Sequence, residues 1–209
     1  MQFDLFDSTQ NKILSAKTYV EFKKALIDSS CTRCELSKGR THLVVDRGNP
    51  EAKILVIGEA PGEQEDLKAE AFVGRAGQLL DQILASIQLD SNRDTLIINV
   101  VKCRPPENRA PAKEEAETCL AYLRKQIDLV RPRVILLLGA TALKHIIPEK
   151  REFSMEEEAG KFFVHPAFPG IQFMVLFHPA YLLYDARKKP LMWEHVKRLR
   201  VYLEKEGLV

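Results

Sequence analysis

Hydrophobic positions along the chain fall into short apolar runs, and amphipathic stretches lie between and around them. Four runs have the length and composition of buried strands: AKILVIG (52–58), DTLIINVV (94–101), RVILLLG (133–139) and IQFMVLF (171–177). Three other stretches have helical periodicity, at residues 18–28, 75–87 and 112–130. Apolar strands that alternate with helices are typical of a parallel sheet covered on both faces. The pattern predicts an α/β protein, a three-layer α/β/α domain with a central four-stranded parallel sheet.

The segments outside these runs set the boundaries of the domain. CRPPENRAP (103–111) is too rich in proline for a helix or a strand, so we expect a loop there. The acidic stretch MEEEAG (155–160) is interpreted as the centre of a hairpin. There is no internal repeat and no interior linker. We therefore expect one domain over residues 16–209, preceded by a flexible amino-terminal tail over residues 1–15.

Short polar segments follow three of the four predicted strands. GEAPGE follows the first strand, Asn99 ends the second, and HPAY follows the fourth. Ligands of open α/β sheets bind beyond the carboxyl ends of the strands. Glu59, Asn99 and His178 are therefore predicted to converge on one cleft, although they lie far apart in the sequence.

All four cysteines of the chain, Cys31, Cys34, Cys103 and Cys119, fit a single metal site. A zinc ribbon normally has two CxxC pairs, whereas fifteen residues separate the second two cysteines here. A cubane iron-sulfur cluster accepts one CxxC with two dispersed ligands, because each thiolate binds a different iron. The alternatives are two disulfides or four buried structural thiols. Disulfide frameworks belong to small secreted chains, and from the residues at the start of this sequence we expect no export signal, so the pattern favours the cluster.

Composition narrows the class of protein further. With 209 residues, 45% of them hydrophobic, the chain can bury a full core, and no apolar run reaches the length of a membrane span. We expect a cytoplasmic protein. The net charge of +2 does not by itself indicate a polyanion partner. Basic residues cluster between Arg187 and Arg200, so Arg187, Lys188 and Lys189 are candidate DNA contacts, although such a run is more often a solvated helix face.

Several motifs in a fixed order carry a resemblance to a known family. GEAPGEQED, AFVGRAGQLL, NVVKCRPPENRAP and FHPAYLL, together with the cysteines, are similar to the family 4 uracil-DNA glycosylases, the iron-sulfur branch of that superfamily. The match runs from about Cys31 to the carboxyl terminus. The resemblance implies the sheet described above, a [4Fe-4S] cluster on the four cysteines, and hydrolysis of the N-glycosidic bond of uracil in DNA to leave an abasic site.

A base that undergoes chemistry must leave the stack and be held in a pocket. Phe72 is the candidate aromatic ring for the face of the base, and Gly58, Glu59 and Ala60 form the loop against it. Asn99 offers a donor and an acceptor that match O4 and N3–H of uracil, whereas cytosine presents the opposite pattern. Without the resemblance, Phe72 would be interpreted as a core aromatic and Asn99 as a turn residue.

Catalysis requires stabilisation of the departing base and a water molecule for the sugar. His178 is the candidate donor to negative charge on O2 of uracil. Glu59 is the candidate group that orients or activates the water. The alternatives are a locally satisfied turn histidine and a carboxylate that caps the next helix. In the better-known branch of the superfamily an aspartate stands where Ala60 stands here, which implies that leaving-group stabilisation matters more than a strong general base.

Other functions and partners stay open at this stage. A catalytically weak iron-sulfur DNA-binding or redox protein of the same fold would have the same cysteines, and a zinc-stabilised nucleotide-binding protein would have the same sheet. The chain carries no histidine-bearing insertion before HPAY of the kind expected in a relative that captures uracil covalently. QFDLF, from Gln2 to Phe6, is similar to the peptide by which bacterial repair proteins dock on the sliding clamp. A frayed terminus explains this segment equally well. We expect a monomer that acts on uracil-containing DNA away from membranes.

Overall fold

The computed structural model describes residues 3–150 and 152–209, with side chains from residue 9 onward. The strands are β1 Arg47–Gly48, β2 Ile54–Gly58, β3 Thr95–Asn99, β4 Val134–Leu138, β5 Phe162–Val164 and β6 Gln172–Leu176. The α-helices are α1 Phe3–Leu14, α2 Tyr19–Asp28, α3 Glu63–Lys68, α4 Arg75–Ala85, α5 Lys113–Val130, α6 Gly139–Ile146, α7 Met155–Glu158, α8 Pro179–Tyr184 and α9 Lys189–Lys205. Short 3-10 turns cover Glu35–Lys38, Pro106–Asn108 and Ala186–Lys188.

The strands form one mixed sheet in the order β1-β3-β2-β4-β6-β5. The four central strands are parallel and correspond to the four apolar runs of the sequence, so the predicted fold class is confirmed. A short antiparallel strand is added at each edge, β1 beside β3 and β5 beside β6. These two edge strands were not predicted, because segments of two and three residues are too short to show a periodicity.

Each face of the sheet is covered by helices, which completes the three layers. Ile54 and Val56 of β2 face a core that includes residues of α4 and α9. Leu55 and Ile57, which alternate with them, face a second core that includes residues of α5 and α6. All five residues of β2 are buried, as expected for a central strand of a parallel sheet.

The acidic stretch at residues 155–160 is not the centre of a hairpin. Residues Met155–Glu158 form α7, whose first turn is capped by Ser154 through the backbone N–H of Glu157. The hairpin lies directly after it and is made by β5 and β6. The carboxylate of Glu158 is buried and forms ion pairs with Lys150 and Lys161, so this acidic residue stabilises the packing of the turn.

The amino-terminal segment ends in contact with the domain. Ile13 of α1 is buried in a small core with Phe22, Leu26 and Tyr122. The clamp-like peptide over residues 2–6 lies outside the side chains that the structure describes. The flexible tail over residues 1–15 and the domain boundary after it stay predictions. Within the described part of the chain, no helix is long and apolar enough to cross a membrane.

Candidate active site

A cleft of about 360 Å³ opens at the carboxyl ends of the parallel strands. Five of the residues predicted for the site line it: Glu59, Ala60, Phe72, Asn99 and His178. They come from the ends of β2, β3 and β6 and from the loop before α4. The predicted convergence at this edge of the sheet is therefore present in the structure.

Gly58, the sixth predicted residue, lies where two of these side chains meet. A Cβ atom at this position would lie 2.5 Å from the ring of Phe72 and 2.6 Å from Oδ1 of Asn99. Gly58 also pairs with Asn99 in the register of β2 and β3. A glycine is required here because any side chain would displace the ring or the amide.

The amide of Asn99 is buried without a hydrogen-bond partner. The residue is 1% exposed, and neither Nδ2 nor Oδ1 has a partner within the described residues. An unpaired buried polar atom costs about 1–3 kcal/mol, so such a group needs an explanation. Here both unpaired atoms belong to a side chain that lines the cleft, which is the arrangement expected for a group that pairs with a bound ligand.

Phe72 is held at the cleft by its own backbone. Its φ of 54° lies in the left-handed region, which a bulky residue seldom adopts. Nη1 of Arg47 donates to the Phe72 carbonyl at 2.6 Å, and Asp81 pairs with the same guanidinium. Gly77 packs so closely that an added Cβ would lie 1.7 Å from that carbonyl oxygen. These contacts fix the position of the ring.

His178 has a structural role, and among the described residues its Nε2 has no hydrogen-bond partner. As the N-cap of α8, its Nδ1 accepts a hydrogen bond from the backbone N–H of Ala180 at 3.2 Å. Burial lowers the pKa of His178, and the carboxylates of Glu59 and Glu65 offset this only in part. The ring is therefore neutral at neutral pH, and its proton is on Nε2. The imidazole lies 5.7 Å from the Phe72 ring, centroid to centroid, so the donor and the aromatic face belong to one pocket.

The carboxylate of Glu59 does not cap the following helix. Gly62 is the N-cap of α3, and Glu65 supplies the carboxylate of its capping box. Glu59 is half-buried, lines the cleft and accepts a hydrogen bond from the hydroxyl of Thr141 at the start of α6. The structure therefore removes the capping alternative and leaves Glu59 facing the cleft.

Sequence reasoning missed four residues at or behind this site: Arg47, Glu65, Thr141 and Tyr181. Glu65 joins two loops of the cleft, since it accepts from the backbone N–H of Gly62 at 3.1 Å and of Gly74 at 2.7 Å. Its position three residues after Gly62 is the spacing of a capping box, a signal that could have identified it. Arg47 and Thr141 act across long sequence separations, for which a single sequence gives no signal. Tyr181 lies in the HPAY segment, which already pointed to this part of the site.

The four cysteines lie around the segment that follows β3. Cys103 and Cys119 are buried in the same core, and Cys34 packs against it. Burial raises the pKa of the Cys103 thiol to about 12 and that of Cys119 to about 11. Charge on Cys34 also raises the pKa of both thiols, and charge on Cys31 raises the pKa of Cys119. The four thiols are therefore close enough to interact electrostatically. Such thiols stay protonated unless a metal replaces the proton.

Cationic groups surround this thiol set. Nη1 of Arg40 lies 3.2 Å from Sγ of Cys103. Burial lowers the pKa of Lys102, and charge on Cys119 and Cys103 partly offsets this decrease. Within the described residues, no three His, Cys, Asp or Glu side chains form a group that fits a single metal ion. A cubane cluster makes a different demand, because its thiolates bind separate irons. Four thiols with two cations beside them fit the chemistry of such a cluster.

The predicted DNA contacts lie after α8, whose residue Tyr181 lines the cleft. Arg187 is exposed and pairs with Asp185, whereas Lys188 pairs with Glu156 and lies over the ring of Phe177. Exposed ion pairs of this kind contribute little to stability, so their basic side chains can readily bind other partners. The basic segment is therefore compatible with phosphate contacts.

Comparison with known proteins identifies the family of this chain. The family model of the uracil DNA glycosylase superfamily matches residues 45–200. The chain therefore belongs to the uracil DNA glycosylase superfamily.

Similar proteins narrow the assignment to the type-4 branch. A type-4 uracil-DNA glycosylase of Thermotoga maritima is 39% identical over 181 residues, which cover 85% of this chain and 91% of that protein. The one from Archaeoglobus fulgidus is 43% identical over 158 residues, 74% of this chain and 79% of the relative. The one from Sulfurisphaera tokodaii is 40% identical over 176 residues, which cover 82% of this chain and 79% of that protein. The family predicted from the sequence motifs is thereby confirmed.

Proposed function

We propose that the protein is a DNA repair enzyme that hydrolyses the N-glycosidic bond of uracil in DNA, releasing uracil and leaving an abasic site. The observation that carries this proposal is the buried, unpaired amide of Asn99 beside the Phe72 ring. Nδ2 donates to O4 of uracil and Oδ1 accepts from N3–H, while the ring stacks on the base. Cytosine carries a donor in place of O4 and an acceptor in place of N3–H, so it is rejected.

The bond to the sugar breaks between N1 and C1′, and the electron pair leaves with uracil. The Nε2–H of His178 donates to O2, where negative charge develops on the base. The oxygen of a water molecule bonds to C1′, and Glu59 takes the proton that the water loses. Glu59 then returns this proton to solvent, from which the uracil anion takes one. Each step uses a group that lines the cleft.

Access to the cleft requires the nucleotide to leave the duplex or to come from a single strand. Tyr181 lines the cleft, and Tyr184, at the end of the same helix, is 91% exposed. We place the DNA along this helix, with Arg187, Lys188 and Lys189 near the phosphates. The exposed aromatic ring is then available to stack on bases next to the extruded nucleotide.

Release of the base from a uracil-containing oligonucleotide, with normal DNA beside it, tests the proposal. Single-turnover rates of wild type and His178→Ala should differ by about a hundredfold or more, as for the loss of one oxyanion donor, while DNA affinity falls much less. Absence of uracil release by the wild type would favour a DNA-binding or redox protein of the same fold. Loss of affinity alone in His178→Ala would make His178 a positioning residue for DNA.

We also propose that Cys31, Cys34, Cys103 and Cys119 hold a [4Fe-4S] cluster with a structural role. When bound, the cluster cross-links the loop after α2, the segment after β3 and α5. Cys103 lies four residues beyond Asn99, so the cross-link holds the loop that carries the recognition amide. The purified protein should be brown and contain about four irons per chain. Stoichiometric zinc without iron would contradict the proposal.

Two partner proposals rest on the sequence. The peptide from Gln2 to Phe6 docks on the replication sliding clamp, and the enzyme itself acts as a monomer. Deletion of residues 1–6 should abolish co-elution with purified sliding clamp and leave uracil release unchanged. Co-elution of the deleted protein would assign the contact to another surface.

A further inference from the structure

The hydroxyl of Thr141 joins the loops that follow two neighbouring strands. Thr141 lies in the first turn of α6, directly after β4, and donates to Oε2 of Glu59, which directly follows β2. β2 and β4 are paired in parallel with Ile57 opposite Leu137, so the two loops begin side by side. Within the part of the chain that the structure describes, no other hydrogen bond reaches the Glu59 carboxylate.

This use of a threonine hydroxyl differs from the usual one. A threonine near a helix normally bonds a backbone carbonyl within its own segment. Thr118 in α5 does so with the carbonyl of Glu114 at 2.7 Å, and Thr95 bonds the carbonyl of Ser91 at 2.7 Å. Thr141 instead bonds a side chain 82 residues away. Local helix geometry therefore does not explain its partner.

The hydrogen bond from Thr141 limits the orientations of the Glu59 carboxylate. A glutamate side chain has three rotatable bonds, and each wrong rotamer points the carboxylate away from the reacting water. A donor fixed on Oε2 limits these rotamers and leaves Oε1 for the water.

We infer that Thr141 is a positioning residue for the reaction: its hydroxyl fixes the Glu59 carboxylate so that the second oxygen orients the attacking water. The inference rests on the proposed function of the cleft, since it assigns Thr141 a part in hydrolysis at that site. Thr141 contacts the carboxylate and acts only through it. Its loss should therefore lower the rate of the chemical step and leave the affinity for DNA unchanged.

Three variants separate this role from a structural one. Thr141→Val keeps the shape of the side chain and removes the donor, whereas Thr141→Ser keeps the donor. In single turnover on a uracil-containing oligonucleotide, Thr141→Val should be about tenfold slower than wild type, the size expected for a lost hydrogen bond to a charged group. Thr141→Ser should stay within about twofold of wild type. Thr95→Val removes a buried hydroxyl at the opposite end of β3 and should lower stability without changing the rate.

A double-mutant cycle with Glu59→Ala gives the decisive comparison. Thr141→Val should have no further effect in the Glu59→Ala background, because the carboxylate through which it acts is gone. An equal loss in both backgrounds, or a Thr141→Val rate equal to wild type, would overturn the inference. If the valine variant does not fold, Thr141→Ala enters the same cycle. A wild type that releases no uracil would instead refute the proposed function, so the two failures are distinguishable.

Discussion

At the scale of single residues, the proposed role of Asn99 in selecting the base can be tested by one substitution. Asn99→Asp replaces the Nδ2 donor with an oxygen, so the side chain can no longer donate to O4 and its charge repels that oxygen. Uracil release should fall by about 10- to 100-fold, the equivalent of roughly 1–3 kcal/mol for a buried group left without its partner. Cytosine release should become detectable at low pH, where the acid is protonated and can donate to N3. Unchanged uracil release at neutral pH would remove Asn99 from the site.

His178 gives the enzyme a pH-dependent stability. Burial lowers the pKa of the ring in the folded state, so in a window below about pH 6.5 the unfolded state binds more protons. The stabilising effect of the neutral ring is therefore present above this window and is lost as pH falls through it, by at most about 1.4 kcal/mol per pH unit. Denaturant unfolding at pH 7.5 and 5.5 should show a larger loss for wild type than for His178→Gln. Equal losses would contradict the assignment.

The sequence was sufficient to predict that three residues after the strands converge on one cleft, whereas their proposed roles depend on the family resemblance. Glu59, Asn99 and His178 follow strands in an α/β pattern, and their chemical type suits the reaction. Thr141 and Arg47 could not be found in this way. Each acts on a partner brought close only by folding, and a threonine or arginine at such positions is compatible with many other roles.

At the scale of elements, the start of α4 holds the aromatic ring in place. In Gly77→Ala the added Cβ would lie 1.7 Å from the carbonyl oxygen of Phe72, so the helix and the strained loop must separate. We expect a loss of about 1–3 kcal/mol in the free energy of unfolding, as for other overpacked sites, together with weaker binding of uracil-containing DNA.

Gly39→Ala is the matched control, because nothing lies within 4 Å of its Cβ position and its φ of −108° suits alanine. Its stability should stay within about 0.5 kcal/mol of wild type. A Gly77→Ala variant as stable and active as this control would mean that α4 can move without displacing Phe72.

Some elements could not be predicted from the hydrophobic pattern. The four buried strands and the helices α2, α4 and α5 have clear periodicities and were predicted. The strands β1 and β5 are too short for a periodicity, and the carboxylates at residues 156–158 favour a capped helix turn over the hairpin expected there. Yet β1 carries Arg47, the donor that holds the Phe72 loop, so an undetected edge strand supports the site.

At the scale of the whole molecule, we expect charge to influence how the protein binds DNA. Lys189 begins α9, which follows the cleft-lining helix α8 in the sequence, whereas Lys53 precedes β2, at the end of the strand away from the cleft. Lys189→Glu should weaken DNA binding and reduce the slope of log affinity against log salt by about one, the effect of one lost phosphate contact. Lys53→Glu should leave the slope unchanged. Equal slopes for both variants and wild type would make Lys189 a solvated surface residue.

The unpaired amide of Asn99 also has a consequence for the binding of free uracil, the product of the reaction. The free enzyme carries a desolvation cost that any molecule with the edge of uracil can relieve, whether or not it is attached to DNA. Free uracil should therefore occupy the cleft, inhibit turnover as it accumulates, and raise the melting temperature with its concentration. Cytosine should leave the melting temperature unchanged, and Asn99→Ala should abolish the response to uracil. The unpaired atoms proposed to select uracil in DNA should thus also make the enzyme sensitive to the uracil that it has released.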